Sequence, residues 1–340
     1  MRAILCSEWG DPSGLILKEI SKPEISLGSV RVKVFAAGVN FADLLLIKGS
    51  YQVRPELPFS PGLEVAGVVT EKLGENISFE EGDRVIGLMD YGGFSEEVIV
   101  NSNALWRIPD SMDFDQASAF PVVYGTSHIG LRNKLALRPG ETLLVNGAAS
   151  GVGLAAVEIA KLMGVRVIAS AGSSEKLEIA SKYGADDLID YNKDNLRSQV
   201  KALTEGKGVD AIFDPVGGKI FDESLRCVRA GGRILVVGFA SGAIPKIPAN
   251  ILLVKNITII GYYWAAHLTL NPELFHDSFA ELFSWFQEGR IAPNISHRYP
   301  LAEASEAMNT LIGRKAKGKV VLLLRGGKEQ KYRDIESRTN

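Results

Sequence analysis

The stretch from Thr142 to Tyr191 most strongly limits what this 340-residue chain can fold into. The apolar run Leu143 to Val145 predicts a short buried strand, and Asn146-Gly147 predicts a turn directly after it. Apolar residues then recur at helical spacing: Leu154, Val157, Ile159 and Leu162. Gly164 is a natural end for that helix, and Val165 to Ala169 predicts a second buried strand. The stretch is therefore predicted to be one β-α-β unit.

The same alternation continues for about 70 residues. A glycine closes each predicted helix and a short apolar run follows it: Gly164 before VRVIAS, Gly184 before ADDLIDY, Gly208 before VDAIFD, and Gly231-Gly232 before RILVVG. Short apolar runs that alternate with helices are typical of parallel strands buried on both faces. The sequence therefore predicts an α/β fold with a doubly wound, parallel Rossmann sheet.

The turn after the first strand of this unit is suited to a phosphate-bearing ligand. Free backbone N–H groups and the helix dipole favour an anion at a helix start. The glycine pattern itself is weak, because Ala148 and Ser150 replace two of the three glycines that a dinucleotide fingerprint has, and only Gly153 remains. The context of strand, turn and helix strengthens it.

The end of the second strand distinguishes between the two nicotinamide cofactors. NAD-binding units carry an acid there for the ribose 2′-hydroxyl, whereas this chain reads Ala171-Gly172-Ser173-Ser174-Glu175-Lys176. Two hydroxyls and a lysine suit a 2′-phosphate, so the sequence predicts NADPH as the cofactor. The alternative is that Ser174 only caps the next helix and Lys176 is a solvated surface residue.

The first 120 residues have a different pattern. Arg31 and Lys33 alternate with valines, which is the period of a half-buried strand, and Gly- and Pro-containing turns separate several such runs. This part is predicted to be a β-rich, partly open barrel. After Gly238 the alternation is less regular, and the tail from about residue 265 is expected to return to the first domain. The charged end, residues 326–340, is expected to be disordered.

Composition excludes several functions. The formal net charge of −2 provides no field that would attract nucleic acid or anionic lipid, so neither is expected as a partner. Cys6 and Cys227 have no metal or redox spacing, which favours a cytoplasmic protein with reduced thiols. The N-terminus lacks the apolar run of a signal peptide, and the apolar segment Ile257 to Leu270 is too short to span a bilayer.

Six short motifs carry a resemblance to a known superfamily: GVNFAD (38–43), PGLEVAGVV (61–69), EGDRVIG (81–87), NGAASGVG (146–153), DPVGG (214–218) and GKVVLL (318–323). Together they resemble the medium-chain dehydrogenase/reductase superfamily, and within it the zinc-free quinone oxidoreductases that include ζ-crystallin. The resemblance implies a GroES-like catalytic domain from residues 1–121 and 265–325, and an NADPH-binding Rossmann domain from residues 122–264.

Two positions argue against zinc. The zinc alcohol dehydrogenases of this superfamily have a cysteine where this chain has Asn40, and a histidine where it has Leu63. Asparagine and leucine do not complete a three-ligand zinc site. The four-cysteine structural site is also missing, because the chain has two cysteines. We therefore expect no metal, and hydride transfer to an acceptor that is already electrophilic.

The resemblance also implies which residues form the site. Asn40 would lie beside the nicotinamide and the acceptor, and Thr126 would hold the nicotinamide ribose or carboxamide. Apart from the resemblance, Tyr51, which follows Lys48-Gly49-Ser50, is a candidate cleft residue and a second candidate catalytic residue. The remaining cofactor residues implied are Ser150, Gly151 and Val152 at the pyrophosphate, Gly172, Ser173, Lys176 and Tyr191 at the 2′-phosphate, Val216, Gly217, Phe239, Ala240 and Ser241 along the adenine and nicotinamide ends, and Lys319 closing over the cofactor.

Some of these residues have a structural alternative. Asn40 could be a turn residue, Tyr191 a strand-end aromatic that packs on its helix, and Tyr51 an ordinary loop residue. Asp43 is expected to be a structural acid that accepts hydrogen bonds from the backbone. The four histidines show no ligand spacing, and none is assigned to catalysis.

The leading functional hypothesis is an NADPH-dependent, zinc-independent quinone oxidoreductase. The alternatives are an enal, enone or enoyl-thioester reductase on the same scaffold, and a non-catalytic NADPH-binding protein. The implied partners are a small-molecule quinone or unsaturated carbonyl. We also expect a homodimer, joined through the apolar run Ile257 to Tyr263 at the edge of the sheet.

Overall fold

A computed structural model of the chain describes residues 1–324. The chain divides into two compact units. The first contains Met1–Pro121 and the segment that begins at Ile295, and the second is Val122–Asn294.

The N-terminal part of the first unit is mostly strand. Its strands are β1 (Arg2–Cys6), β2 (Leu15–Glu19), β3 (Ser29–Val39), β4 (Glu64–Leu73), β5 (Arg84–Leu88), β6 (Glu97–Asn101) and β7 (Leu105–Arg107), and its helices are α1 (Phe41–Ile47) and α2 (Phe114–Ser118). The long strand β3 has the predicted alternation, since Val30, Val32 and Val34 are fully buried while Arg31 and Lys33 are half-buried.

The second unit contains one parallel sheet with helices between its strands. The strands are β8 (Thr142–Asn146), β9 (Arg166–Ala171), β10 (Asp187–Asp190), β11 (Val209–Asp214), β12 (Val228–Val236) and β13 (Thr258–Gly261). The helices are α3 (Pro121–Ile129), α4 (Gly151–Leu162), α5 (Ser174–Lys182), α6 (Leu196–Leu203), α7 (Gly218–Ser224), α8 (Ala249–Lys255), α9 (His267–Leu270) and α10 (Pro272–Gln287).

The strand order in this sheet is β10-β9-β8-β11-β12-β13, and every neighbouring pair is parallel. The chain moves outward from β8 to β10 on one side, then returns and moves outward from β11 to β13 on the other. The order therefore reverses between β8 and β11. This is the doubly wound Rossmann arrangement, and ligands bind such sheets at the carboxyl ends of the strands near that reversal.

The last described segment returns to the first unit. It contributes β14 (Ile295–Pro300), α11 (Ala304–Ile312) and β15 (Lys319–Leu323). The first unit's larger sheet has the order β14-β15-β3-β4-β5-β7, with β6 also paired to β3, and β1 pairs with β2 in a separate sheet. The β-rich fold of this unit agrees with the sequence prediction.

The return to the first unit lies later than the residue 265 expected from the sequence. Residues 265–294 belong to the second unit because the apolar side of α10 is buried there. Phe275, Phe279 and Leu282 have no exposed surface, and Phe275 stacks on Trp264 with ring centroids 4.8 Å apart. Burial of three large apolar side chains holds the helix against its own unit.

Two further expectations from the sequence concern the C-terminal tail and membrane-spanning segments. The expected disordered tail, residues 326–340, lies outside the described residues. Among residues 1–324, no helix has both the length and the apolar character needed to cross a membrane.

Candidate functional site

The start of helix α4 lies at the carboxyl end of β8 and forms a close turn. Gly147 has φ +60°, in the region that favours glycine, and a Cβ on Gly153 would collide with the carbonyl oxygen of Gly147 and lie 2.9 Å from the Cα of Ala148. Gly151 and Val152 are the first two residues of α4, so their N–H groups have no partner within the helix. This turn can hold an anion such as a pyrophosphate.

Ser150 caps α4, a role that the sequence reading did not assign to it. Its backbone is extended, and its Oγ accepts a hydrogen bond from the N–H of Gly153 at 3.1 Å. Serine is among the favoured residues at this position because it satisfies one of the orphan donors. The serine therefore replaces a glycine of the usual fingerprint with a helix cap.

A second polar cluster lies at the carboxyl ends of β9 and β10. Ser173 caps helix α5, and its Oγ accepts from the N–H of Lys176 at 3.4 Å. Gly172 leaves room beside Tyr191, since a Cβ there would lie 3.0 Å from the phenolic oxygen. The cluster combines a helix start, hydroxyls and a lysine, the groups that suit a phosphate.

Lys193 joins this cluster and was not singled out from the sequence. Its Nζ donates to the Oγ of Ser174 at 3.0 Å and lies 3.4 Å from Oδ2 of Asp190. The signal that could have found it is topological: β10 pairs with β9 in parallel, with Asp190 opposite Ala171. Residues that follow the two strands therefore meet at one edge of the sheet.

A buried polar network fixes the carboxyl ends of the central strands. Asn146 donates to Oδ1 of Asp214 at 3.3 Å and to Oγ of Ser224 at 2.9 Å, and accepts from Ser170 at 2.9 Å. Burial raises the pKa of the Asp214 carboxyl to about 6. Its oxygens accept the N–H groups of Val216 and Gly217 in the next loop, so the network shapes that loop.

Two loops at this edge are joined by backbone hydrogen bonds. The N–H of Ala240 donates to the carbonyl of Pro215 at 3.0 Å, and the N–H of Ser241 donates to that of Val216 at 2.9 Å. Gly217 has φ +71°, and a Cβ there would lie 3.0 Å from the ring of Phe239. The structure thus brings the predicted loop residues to the same edge as the starts of α4 and α5.

Thr126 lies in α3 and is 8 % exposed. Its carbonyl accepts from the hydroxyl of Tyr262 at 3.2 Å, and the next residue, Ser127, donates to the carbonyl of Val152 at 2.9 Å. The second bond fixes α3 beside the start of α4.

The first unit contains its own buried polar cluster, which is built around Asn40 and Lys319. The ammonium of Lys319 donates to Oε1 of Glu64 at 2.7 Å, to Oδ1 of Asn40 at 2.7 Å and to the carbonyl of Val39 at 3.2 Å. Nδ2 of Asn40 donates to the same Oε1 at 2.8 Å. Glu64 has no exposed surface, and Lys319 and Asn40 are 4 % and 7 % exposed.

Asp43 is the structural acid that its sequence context indicated. Its carboxylate accepts the N–H of Asn40 at 2.7 Å and that of Gly62 at 3.1 Å. Burial raises the pKa of Asp43 to about 7, although these backbone donors and the charge of Lys319 act in the opposite direction. The residue holds the start of α1 to the turn before β4.

The position of Lys319 differs from the expectation that it closes over the cofactor. All three N–H groups of its ammonium have acceptors within the first unit, and the side chain is buried in β15. The lysine therefore orients Asn40 and Glu64. Tyr51, the other candidate catalytic residue, is half-buried in the loop after α1, and its role stays a prediction.

His128 lies between a serine and a glutamate, as the histidine of a hydrolase triad does, but the serine is not accessible to a substrate. Nδ1 lies 2.8 Å from Oγ of Ser278, and Nε2 lies 3.1 Å from Oε2 of Glu281. Ser278 is only 2 % exposed, so a substrate does not reach its hydroxyl. These bonds join α3 to α10.

The residues that the structure describes do not meet the requirements of a metal site. Across residues 1–324, no group of three or more His, Cys, Asp or Glu side chains is placed to hold a metal ion. At the two positions discussed above, Asn40 bonds to Glu64 and Lys319, and Leu63 is buried.

Two family models match the chain. Residues 26–110 match the alcohol dehydrogenase GroES-like domain, and residues 151–287 match the zinc-binding dehydrogenase domain. Similar proteins include quinone oxidoreductase-like protein 2 homolog of Nematostella vectensis, 43 % identical over 94 % of this chain and 88 % of that protein. Quinone oxidoreductase-like protein 2 of Bos taurus is 41 % identical, over 95 % and 93 % of the two chains. Quinone oxidoreductase of Homo sapiens is 33 % identical, over 95 % and 98 %.

Solved structures of quinone oxidoreductases are also similar to this chain. Escherichia coli quinone oxidoreductase complexed with NADPH superposes with a TM-score of 0.90 at 29 % identity, covering 95 % of this chain and 100 % of that one. A mycobacterial protein complexed with NADPH superposes with a TM-score of 0.89 at 32 % identity, with the same coverage. The chain is therefore an oxidoreductase that belongs to the quinone oxidoreductase family of the medium-chain dehydrogenase/reductase superfamily.

Proposed function

We propose that this enzyme transfers hydride from NADPH to a quinone. The polar cluster at the carboxyl ends of β9 and β10 is the observation that supports NADPH as the cofactor. Ser173, Ser174, Lys176 and Lys193 lie there, and β9 ends at Ala171 without an acid. Two relatives of known structure were solved with NADPH, which supports the same assignment.

The residues at the sheet edge fit a dinucleotide sterically. Gly153 permits the tight turn before α4, and Gly172 leaves the end of β9 without a side chain. The N–H groups of Gly151 and Val152 would hold the pyrophosphate, because the start of α4 provides free donors and a favourable dipole. Lys176 and Lys193 would neutralise the 2′-phosphate.

NADPH, when bound, supplies the hydride that reduces the acceptor. The chain's own task is to orient the acceptor and exclude water. In the first unit, Lys319 and Glu64 hold the amide of Asn40 in one orientation. Within residues 1–324 the second N–H of that amide has no acceptor, and we assign to it a hydrogen bond to the acceptor's carbonyl oxygen.

The two lysines provide the sharpest test of the cofactor assignment. Lys176→Ala and Lys193→Ala should each weaken NADPH binding by about 10- to 100-fold, the effect of one charge-assisted hydrogen bond, and leave NADH binding nearly unchanged. Lys182→Ala, an exposed lysine in the last turn of α5, is the matched control. Equal losses for both cofactors in titration calorimetry would remove the assignment.

Steady-state oxidation of NADPH tests the reaction itself. Turnover should be faster with a small para-quinone than with a 2-enal, and faster with NADPH than with NADH. A preference for the enal would move the assignment to an enal or enone reductase. Binding of NADPH without turnover of either acceptor would favour a binding protein.

We also propose that the enzyme is a homodimer. Strand β13 is at the edge of its sheet, carries no charged side chain, and is half-buried or exposed. Large apolar side chains are exposed before and after it: Ile244, Leu253, Val254 and Leu270 are each at least 75 % exposed. An apolar edge of this kind is a pairing site. A monomeric mass in light scattering at micromolar concentration would contradict it.

A further inference from the structure

A cavity of about 470 Å³ lies at the amino ends of two central strands of the second unit. We call it the basic pocket. Its charged lining consists of Arg197, Lys201, Lys207, Arg226, Arg229 and Lys255, and none of the acidic side chains among residues 1–324 lines it. The whole chain has a net charge of −2, so this concentration of positive charge is local.

Acidic partners neutralise only some of these cations. Arg229 pairs with Asp210 at 2.5 Å, and Lys207 pairs with Glu205 at 3.0 Å. For Arg197, Lys201 and Arg226 there is no ion pair with any residue from 1 to 324. Three cations without a counterion therefore face one cavity.

Lys255 shows that the cations influence one another. Its ammonium donates to the carbonyl of Leu225 at 3.1 Å and to that of Val228, so it is fixed at the wall of the pocket. Burial lowers the pKa of Lys255, Cys227 acts in the opposite direction, and the charges of Arg197 and Lys201 lower the pKa further. A bound anion would remove this repulsion.

The arrangement has a cost that folding alone does not explain. Arg197 and Lys201 are four residues apart in α6, where like charges destabilise a helix by about 0.2 to 0.5 kcal/mol. Both side chains are exposed and contribute little to the core. A ligand of opposite charge would offset this repulsion.

The basic pocket is separate from the candidate dinucleotide site. Gly208 and Val228, which line it, lie at the amino ends of β11 and β12, whereas the dinucleotide residues follow the carboxyl ends. Strand β11 has six residues, so the two edges are about 17 Å apart.

We propose that the basic pocket binds a small, multiply phosphorylated anion while the dinucleotide site is occupied. Its volume lies within the range of about 300 to 1,000 Å³ for small-molecule sites. The two arginines without a counterion provide planar donor pairs that match phosphate oxygens, and the lysines provide compact positive charge. The proposal is independent of the enzyme's choice of acceptor.

Titration calorimetry with inorganic triphosphate tests the proposal. The protein is held in a buffer without phosphate and saturated with NADPH, so that phosphate sites for the cofactor are filled. We expect one triphosphate per chain, binding much more tightly than inorganic phosphate or citrate, and an increase in the melting temperature with triphosphate concentration. The double variant Arg197→Gln, Lys201→Gln should bind about 100-fold more weakly, tenfold for each cation removed.

A matched double variant separates this site from general charge effects. Lys18 and Lys315 are exposed lysines of the first unit, and Lys18→Gln with Lys315→Gln removes the same charge. This variant should bind triphosphate as the unmodified chain does. Equal weakening in both double variants, displacement of triphosphate by NADPH, or citrate binding as tight as triphosphate would each overturn the proposal.

If NADPH does not bind this protein, the same titration is made with the Lys176→Ala, Lys193→Ala variant. Triphosphate binding that persists there and is lost with Arg197→Gln, Lys201→Gln supports the basic pocket. Binding that is lost with the first pair of lysines instead contradicts it.

Discussion

Replacement of Lys319 by methionine should strongly destabilise the first unit. The ammonium lies 2.7 Å from Oε1 of Glu64, and both side chains are buried. Methionine replaces the apolar stem of the lysine side chain and keeps its packing contacts, but it removes the positive charge and three hydrogen-bond donors. The carboxylate of Glu64, which has no exposed surface, then loses its positive partner.

The size of the effect follows from this burial. Breaking a buried ion pair by removing one partner costs about 3 to 5 kcal/mol, because an uncompensated charge stays in a medium of low polarity. An exposed ion pair would cost less than about 1 kcal/mol. Replacing both partners removes the uncompensated charge, so the Glu64→Gln, Lys319→Met double variant should be more stable than Lys319→Met alone.

Urea unfolding followed by circular dichroism measures the free energy of unfolding of the single and the double variant. Lys18→Met, at an exposed lysine in β2, is the control and should change the free energy of unfolding by less than about 0.5 kcal/mol. A loss below about 1 kcal/mol for Lys319→Met would refute the argument, because it would mean that solvent reaches the pair. A double variant no more stable than the single one would show that charge is not the cause.

Three further predictions test other parts of the structure. Burial raises the pKa of Glu158 from 4.5 to about 7, so the folded state holds a proton that the unfolded chain loses, and stability should fall as pH rises from about 4.5 to 7. Glu158→Gln should reduce that fall by about 3 kcal/mol in urea titrations at several pH values, since each pKa unit corresponds to about 1.4 kcal/mol. Gly38→Ala should cost about 1 to 3 kcal/mol, because its Cβ would lie 2.7 Å from the carboxyl carbon of Glu64, whereas Gly10→Ala, with open space, should leave the melting temperature unchanged. Ser150→Gly should change NADPH affinity by less than about twofold, since glycine costs only a few tenths of a kcal/mol at a helix cap, and a large gain in affinity measured by calorimetry would contradict the capping role.

The Rossmann sheet could be predicted from the sequence because its signals are local. Each strand spans four to nine residues and contains a short apolar stretch, and Gly164 and Gly184 directly follow the caps of the helices before two of them. The residues at the starts of α4 and α5 were predicted for the same reason. The carboxyl ends of parallel strands all lie at one edge of the sheet. Turns that are each predicted from local sequence therefore come together there and form a single predicted site.

The cluster around Lys319 could not be predicted, because its members are distant in sequence. Glu64 is 24 residues from Asn40, and Lys319 is 279 residues from it. Nothing near the lysine in the sequence indicates that its ammonium is buried. The boundary near residue 265 was misplaced for a related reason: the apolar side of α10 could be buried by either unit, and periodicity does not say which.

The buried cluster determines which chemical groups Asn40 can offer to a ligand. Its amide oxygen accepts from the Lys319 ammonium, and its nitrogen donates to Glu64. The opposite orientation would place an NH2 group against an ammonium and an oxygen against a carboxylate, so the network fixes the amide. Within residues 1–324 one N–H of this amide has no acceptor, and a ligand that meets that N–H must supply an acceptor oxygen. A quinone carbonyl has that oxygen, and a saturated alcohol that is to be oxidised would need a base instead.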